Sequence, residues 1–293
     1  SLDGVGANWP LSYWDLEPYY DLNDKMCGIS GLSGDPSNPP RSARQRAPMP
    51  IGKGAARLAS AMDDMGWHWW PNDVQALSSA YGEETGDCNN CGPCEVACPV
   101  RAKGSTDVTY WPKALDAGIR LITKARVFEI ETDANGNAVG AAYYDRNKVA
   151  RRVRAKRVIV AANGIGTPRL LQLSVSKKHP NGLANGSGLV GRNLMLHPIA
   201  LVTGLFDEDL EGYKGITANC ITSQEFYETD DSRDYKRGYM VQFLRSFGPV
   251  LTSLAGYGVP VPWGEKHHSR FLDVFNHTAS AGIVCEDIAD PDN

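Results

Sequence analysis

The clearest pattern in the chain is a series of short apolar runs, broken by turns, between residues 119 and 162. Residues 119–123 and 126–131 are rich in β-branched and apolar side chains, and Asp133-Ala-Asn-Gly-Asn137 is a turn of the Asn-Gly type. Residues 138–144 read as a second strand, Asp145-Arg-Asn-Lys148 as another turn, and 149–154 as a third strand. The continuous run Arg157-Val-Ile-Val-Ala-Ala162 then reads as a strand covered on both faces, as in the middle of a parallel sheet. It leads into Asn163-Gly-Ile-Gly-Thr-Pro168. There Thr167 suits an N-cap and Pro168 a first helical position, so a helix is predicted over 168–174.

Upstream, residues 8–50 are rich in Pro, Gly, Ser and aromatics, with a short helix expected after Ser12, whose capping partner Asp15 sits three residues on. The proline-rich stretch 34–50 predicts an extended surface connection, and 51–66 a helix stopped by Gly66. A further helix is expected from about residue 106 to Gly118. Beyond Gly191-Arg-Asn-Leu-Met-Leu-His-Pro198 the texture changes to longer strands at 199–206, 239–244 and 278–285, which places a domain change near Pro198.

Composition narrows the field. The apolar fraction of 42% is that of an ordinary globular protein and can supply a sizeable core. A net charge of -4 gives no global attraction to nucleic acid or anionic membrane, and the basic run 146–157, with no aromatics interleaved, reads as the solvated face of the meander. No apolar run approaches the roughly 18 residues of a spanning helix. Trp67-His-Trp-Trp70 is read mainly as packing, with a sugar platform as the alternative.

Two places carry chemistry. Ligands of open α/β sheets bind beyond the carboxyl ends of the strands. Ala161 and Ala162 are small enough to let a cofactor approach, Asn163 and Gly164 turn the chain, and the following helix points its N-terminus at the same edge. The second place is a cluster holding four of the seven cysteines, within a loop at 87–104. Cys88-Asn-Asn-Cys91-Gly-Pro-Cys94-Glu-Val-Ala-Cys98-Pro99 has the spacing of bacterial ferredoxins, which suits a [3Fe–4S] or [4Fe–4S] centre. A disulfide or free-thiol loop and a zinc site are the other readings.

Together these stretches resemble the glucose-methanol-choline (GMC) flavoprotein oxidoreductases, in the bacterial branch of glucoside 3-dehydrogenase-like and gluconate dehydrogenase-like large subunits. The matching residues are Trp9-Pro-Leu-Ser-Tyr13, Leu16-Glu-Pro-Tyr-Tyr20, 88–105, 158–171 and Gly188-Leu-Val-Gly-Arg-Asn-Leu-Met-Leu-His-Pro198. The resemblance implies an α/β (α+β) fold. Residues 1–198 would be part of a Rossmann-like FAD-binding domain with its β-meander, and 199–293 part of an antiparallel-sheet substrate domain. It implies FAD as cofactor, with Arg126 and Val127 beside the adenine, Val127 through its backbone, and Ala161, Ala162, Asn163 and Gly164 bordering the flavin nucleotide. It allows an iron–sulfur centre on Cys88, Cys91, Cys94 and Cys98.

The expected activity is oxidation of a CH–OH group of an alcohol, sugar or glucoside, with hydride passing to flavin N5 and electrons to an acceptor other than NAD, such as a small subunit or a cytochrome. The family's pyrophosphate-holding strand–glycine–helix turn is expected before Ser1 and its catalytic His beyond Asn293, so no catalytic residue is assigned within the chain. The rival readings are a ferredoxin-like electron-transfer module and a non-catalytic relative.

Overall fold

The structure, a computed structural model, describes residues 8–77, 86–94, 96–216, 219–235, 237–245, 248–254 and 259–290. Glu95 of the cysteine loop, and residues 1–7 and 291–293 at the outer ends of the two expected domains, lie outside the described residues. The chain divides into two compact units, Ser1–Gly118 with His197–Asp287, and Ile119–Leu196 with Ile288–Asn293. Mixed helix and antiparallel sheet make up both, as the α+β reading requires.

The first unit is organised by an antiparallel sheet. Its strands are β1 (Trp70–Pro71), β5 (Ile199–Leu205), β6 (Asn219–Ser223), β7 (Tyr239–Leu244) and β8 (Thr278–Cys285), in the order β1-β6-β7-β8-β5. Helix α2 (Gly52–Met65) covers one face, ending at Gly66 in the left-handed conformation, as the sequence predicts. Its buried stripe is Gly54, Ala55, Ala59 and Met62, a helical spacing. The small residues let the helix approach, and Met62 fills the gap against Ile221, Val241 and Phe243. Burying one such side chain contributes about 1.5–3 kcal/mol. Because strand side chains alternate, Met240, Gln242 and Thr222 face away from α2.

Helix α1 (Tyr13–Cys27) is longer than the short helix expected, and runs through Pro18. Ser12 and Asp15 form the reciprocal cap: the Asp15 carboxylate accepts from the Ser12 amide at 2.8 Å, and the Ser12 hydroxyl accepts from the Asp15 amide at 3.4 Å. Three short helices complete the unit: α3 (Tyr110–Asp116), α5 (Pro249–Ser253) and α6 (His267–Val274). Among the described residues, no helix is long and apolar enough to cross a membrane.

The second unit is the meander. Strands β2 (Arg126–Thr132), β3 (Ala138–Tyr144) and β4 (Ala150–Arg154) pair antiparallel in sequence order. Both hairpin turns use one device. Asp133 Oδ1 accepts from the amides of Asn135 and Asn137, and Asp145 Oδ1 from those of Asn147 and Val149, all at 2.9–3.0 Å. The left-handed position is Gly136 (φ 89°) in the first and Lys148 (φ 61°) in the second. All of β4 is exposed, and Arg151 and Arg152 pair with Asp145 and Glu131. The basic run is thus a solvated face.

Helix α4 (Asn163–Leu173) packs on β2, tied by Ser174, whose hydroxyl accepts from the buried Ile130 amide at 2.9 Å and donates to the Leu170 carbonyl at 2.7 Å.

Three expectations are corrected here. Residues 119–123 form no strand. Residues 157–162 lie in no strand among the described residues, and Ile159 is 90% exposed. An apolar run becomes a covered strand only when ladder partners flank it, and no described strand of this chain does so. Helix α4 begins earlier than predicted: Thr167 lies inside it, with its hydroxyl accepting from the Ala162 amide at 3.0 Å, and Asn163 starts the first turn.

Candidate functional site

In the meander unit, the expected cofactor residues occupy two places. Arg126 opens β2, an edge strand, with its guanidinium 5.4 Å from the centre of the Tyr144 ring. Tyr144 in turn stacks on Phe128, with ring centres 4.4 Å apart. Lys124, Arg126, Tyr144 and Lys148 line an open hollow with Ala125 and Asp145. Pairing with β3 skips between Val127 and Glu129, a bulge that bends the strand where the resemblance puts the adenine. Val127 is 41% exposed, and among the described residues the outer edge of β2 carries no ladder there.

Ala161, Ala162, Asn163 and Gly164 form an exposed corner leading into α4. A Cβ placed on Gly164 would meet nothing within 4 Å. Asn163 sits at φ 64°, and its Oδ1 accepts from the amides of Ile165 and Gly166 at 2.9 and 2.8 Å. Those two donors, expected to be available to an anion, are therefore held by the Asn163 side chain itself. A cationic and aromatic hollow, together with a corner free of bulky side chains in the same unit, fits a flavin nucleotide in charge and space. The chain has a Gly-x-Gly-x-x-Gly spacing at Gly186-Ser-Gly-Leu-Val-Gly191. It falls among turns with no helix after it, so it lacks the strand–helix setting of a phosphate cradle.

The cysteine loop belongs to the first unit. Cys91 is exposed, Cys88, Cys94 and Cys98 are half-buried, and none of the chain's cysteines is in a disulfide. The four thiols are not brought together: among the described residues, no group of three or more His, Cys, Asp or Glu is placed to hold a metal ion. Backbone contacts shape the loop instead. Cys98 Sγ accepts from the amides of Ala102 and Lys103 at 3.2 and 3.4 Å. The Gly215 amide donates to the Asn90 carbonyl at 2.6 Å, and a Cβ on Gly92 (φ 98°) would collide with the Tyr213 carbonyl. Burial pushes up the thiol of the separate Cys27, an inert position.

A third feature lies on the face of the first unit's sheet away from α2. Trp67 and Trp69 pack against the α2 core, while His68 and Trp70 line a cleft of about 430 Å³. The four-residue motif is thus divided between packing, at Trp67 and Trp69, and the cleft wall, at His68 and Trp70. His68 Nε2 lies 2.9 Å from Asp35 Oδ1. Thr222, Gln242 and Asn72 share the cleft. Sequence reasoning missed these three, although the alternation Val241-Gln-Phe243 already separates Gln242 from the core. Elsewhere in the chain, His197 Nδ1 lies 3.0 Å from the Cys285 carbonyl and His277 Nδ1 3.1 Å from the Phe206 carbonyl. His267 stacks on Trp263.

Each unit combines helix with antiparallel sheet, an α+β framework. Residues 60–199 match the GMC oxidoreductase family, and the chain belongs to it. It is 40% identical over 291 residues to the 2-methyl-1,2-propanediol dehydrogenase of Mycolicibacterium austroafricanum, covering 98% of this chain and 52% of that protein. It is 36% identical over 203 residues to the fructose dehydrogenase large subunit of Gluconobacter japonicus, covering 68% of this chain and 37% of that one. To the gluconate 2-dehydrogenase flavoprotein of Pantoea cypripedii it is 26% identical over 312 residues, covering 92% and 48%. The chain therefore spans about half the length of the first of these relatives, and less of the other two.

Proposed function

We propose that the protein is an FAD-dependent oxidoreductase of CH–OH groups, acting on a small alcohol, polyol or sugar and delivering electrons to an acceptor other than NAD. The observation that carries the reading is the exposed corner Ala161–Gly164, free of bulky side chains, in the same unit as the cationic and aromatic hollow at Arg126. Bound FAD supplies the hydride acceptor.

The chain's own residues bind and orient. Lys124, Arg126 and Lys148 offer positive charge to the nucleotide, the Val127 edge offers backbone, and Ala161, Ala162 and Gly164 leave room for the cofactor. In this assignment the FAD-binding part runs to residue 198 and the substrate part from 199, and the family match ends at 199. The relatives are named for a diol, a ketose and a sugar acid, which supports a hydroxylated substrate. One of them is a large subunit by name, which supports a smaller electron-transfer partner here.

The test uses the protein purified with its flavin from its native gene. It should be yellow, and anaerobic addition of an alcohol or polyol should bleach it, with no dependence on NAD. Gly164→Trp should strip the flavin without loss of folded structure. A preparation that never carries flavin, or flavin retention indifferent to Gly164→Trp, overturns the reading.

A further inference from the structure

The cleft on the sheet is bordered by charged residues, and among the described residues its two arginines and its histidine are engaged. Arg41 pairs with Asp24 at 2.6 Å, Arg44 with both Asp24 and Asp73, and His68 with Asp35. Burial holds the Asp24 carboxyl above its usual range, against the opposing pull of the two guanidiniums. Among the described residues, an incoming carboxylate would find no unpaired guanidinium or ammonium in the cleft lining.

The uncharged groups are arranged differently. Trp70, Thr222 and Gln242 are register partners on three neighbouring strands, so they form one row on the same face. The next position in the row, Gly282, has no side chain. Trp70 anchors its indole N–H on the Leu32 carbonyl at 2.8 Å, which fixes the ring. Thr222 donates to Asn72 Oδ1 at 2.5 Å. That leaves the Asn72 amide NH2 with no hydrogen bond among the described residues. The Gln242 NH2 meets only the Met240 sulfur, a weak acceptor at 3.3 Å, and its carbonyl oxygen meets no donor among the described residues. Two half-buried carboxamides beside a fixed indole therefore hold unspent donors and an acceptor, in a cleft of about 430 Å³, the size of a small-molecule site.

We propose that this cleft selects a neutral polyhydroxylated ligand, with Gln242 as the residue that sets the preference for a hydroxyl over a carboxylate. Gln242 can donate to one hydroxyl and accept from its neighbour on a vicinal diol. Asn72 adds a donor, and the Trp70 ring covers the C–H surface. The proposal deepens the oxidoreductase reading by naming a substrate class, and rests on that reading for its catalytic meaning, although binding can be measured without turnover.

The probes are sorbitol and gluconate, which differ only in whether the terminal carbon is an alcohol or a carboxylate. Binding to the flavin-loaded protein is followed by calorimetry and tryptophan fluorescence. Sorbitol should bind at least about tenfold more tightly than gluconate. Gln242→Leu should weaken sorbitol roughly tenfold and gluconate by less. Gln242→Arg should invert the order by giving the carboxylate a fork of donors. Asn72→Leu, in the segment just after β1, serves as a second variant with the same expected loss, should Gln242→Leu fail to fold.

Equal binding of the two probes, or sorbitol affinity indifferent to both Gln242→Leu and Asn72→Leu, overturns the proposal. The two readings fail separately. Polyol binding that depends on Gln242 in a protein with no flavin keeps the cleft and sinks the oxidoreductase. Alcohol-driven flavin reduction indifferent to residue 242 does the reverse.

Discussion

Replacing Ser174 by Ala removes a buried side-chain hydrogen bond between the end of α4 and β2. The Ser174 hydroxyl is buried, with the residue 1% exposed, and it accepts from the Ile130 amide, itself in a residue 6% exposed. The Leu170 carbonyl on its other side loses less, because it also accepts from the Ser174 amide at 3.1 Å. The dominant cost is therefore one buried N–H left without an acceptor, about 1–3 kcal/mol. Since each 1.4 kcal/mol is roughly a factor of ten in an equilibrium, the Ile130 amide should exchange with deuterium about tenfold to a hundredfold faster. Native-state hydrogen exchange reads this directly, and denaturant unfolding of the meander unit gives the matching loss. Leu173→Ala is the control, since Leu173 is 51% exposed and outside this contact; it should change stability by less than about 0.5 kcal/mol. Because α4 carries the corner Ala161–Gly164 at its other end, Ser174→Ala should also loosen flavin retention. Unchanged Ile130 exchange together with a loss below about 0.5 kcal/mol would refute the claim that this hydroxyl holds α4 in place.

Two further outcomes follow from the paired hairpin turns. Lys148 holds a left-handed conformation that Gly136 occupies in the other turn, so Lys148→Gly should stabilise the meander by about 1 kcal/mol, read by thermal unfolding; a loss would show that the Lys148 side chain contributes more than its strain costs. The Asp133 carboxyl is held below its usual range, chiefly by the Asn137 amide, and Asp145 likewise by the Val149 amide. A folded value below the unfolded one gives stability that is present above the ordinary aspartate range, near pH 4, and is lost as pH falls through the lowered value. Circular dichroism of the meander across acid pH should show this loss, and Asp133→Asn with Asp145→Asn together should flatten it.

Legibility in the sequence followed the range of the interactions. The hairpins, the Ser12–Asp15 cap and the Gly66 stop depend on residues a few positions apart, and each forms where the sequence places it, within a residue or two. The run at 157–162 was misread because a strand's status depends on distant partners, which a local apolar run does not reveal. Strand β6 was missed because Asn219–Ser223 is short and earns its place through pairing with β7. At the cysteine loop the spacing was plain, but whether thiols converge is decided by the backbone between them. Here left-handed Asn90 and Gly92 lay that backbone against residues 213–215. The cleft was half legible: the tryptophans were visible, their division of labour was not.

That division at residues 67–70 has an evolutionary consequence. Changes at positions 68 and 70 alter what the cleft meets while the hydrophobic interior against α2 keeps its filling, so ligand preference can drift by point substitution at little cost in stability. Adding or deleting a single residue in this stretch would do the opposite, turning indoles out to water and an imidazole into the interior. Diversification of this protein should accordingly proceed here by exchange of side chains at constant length.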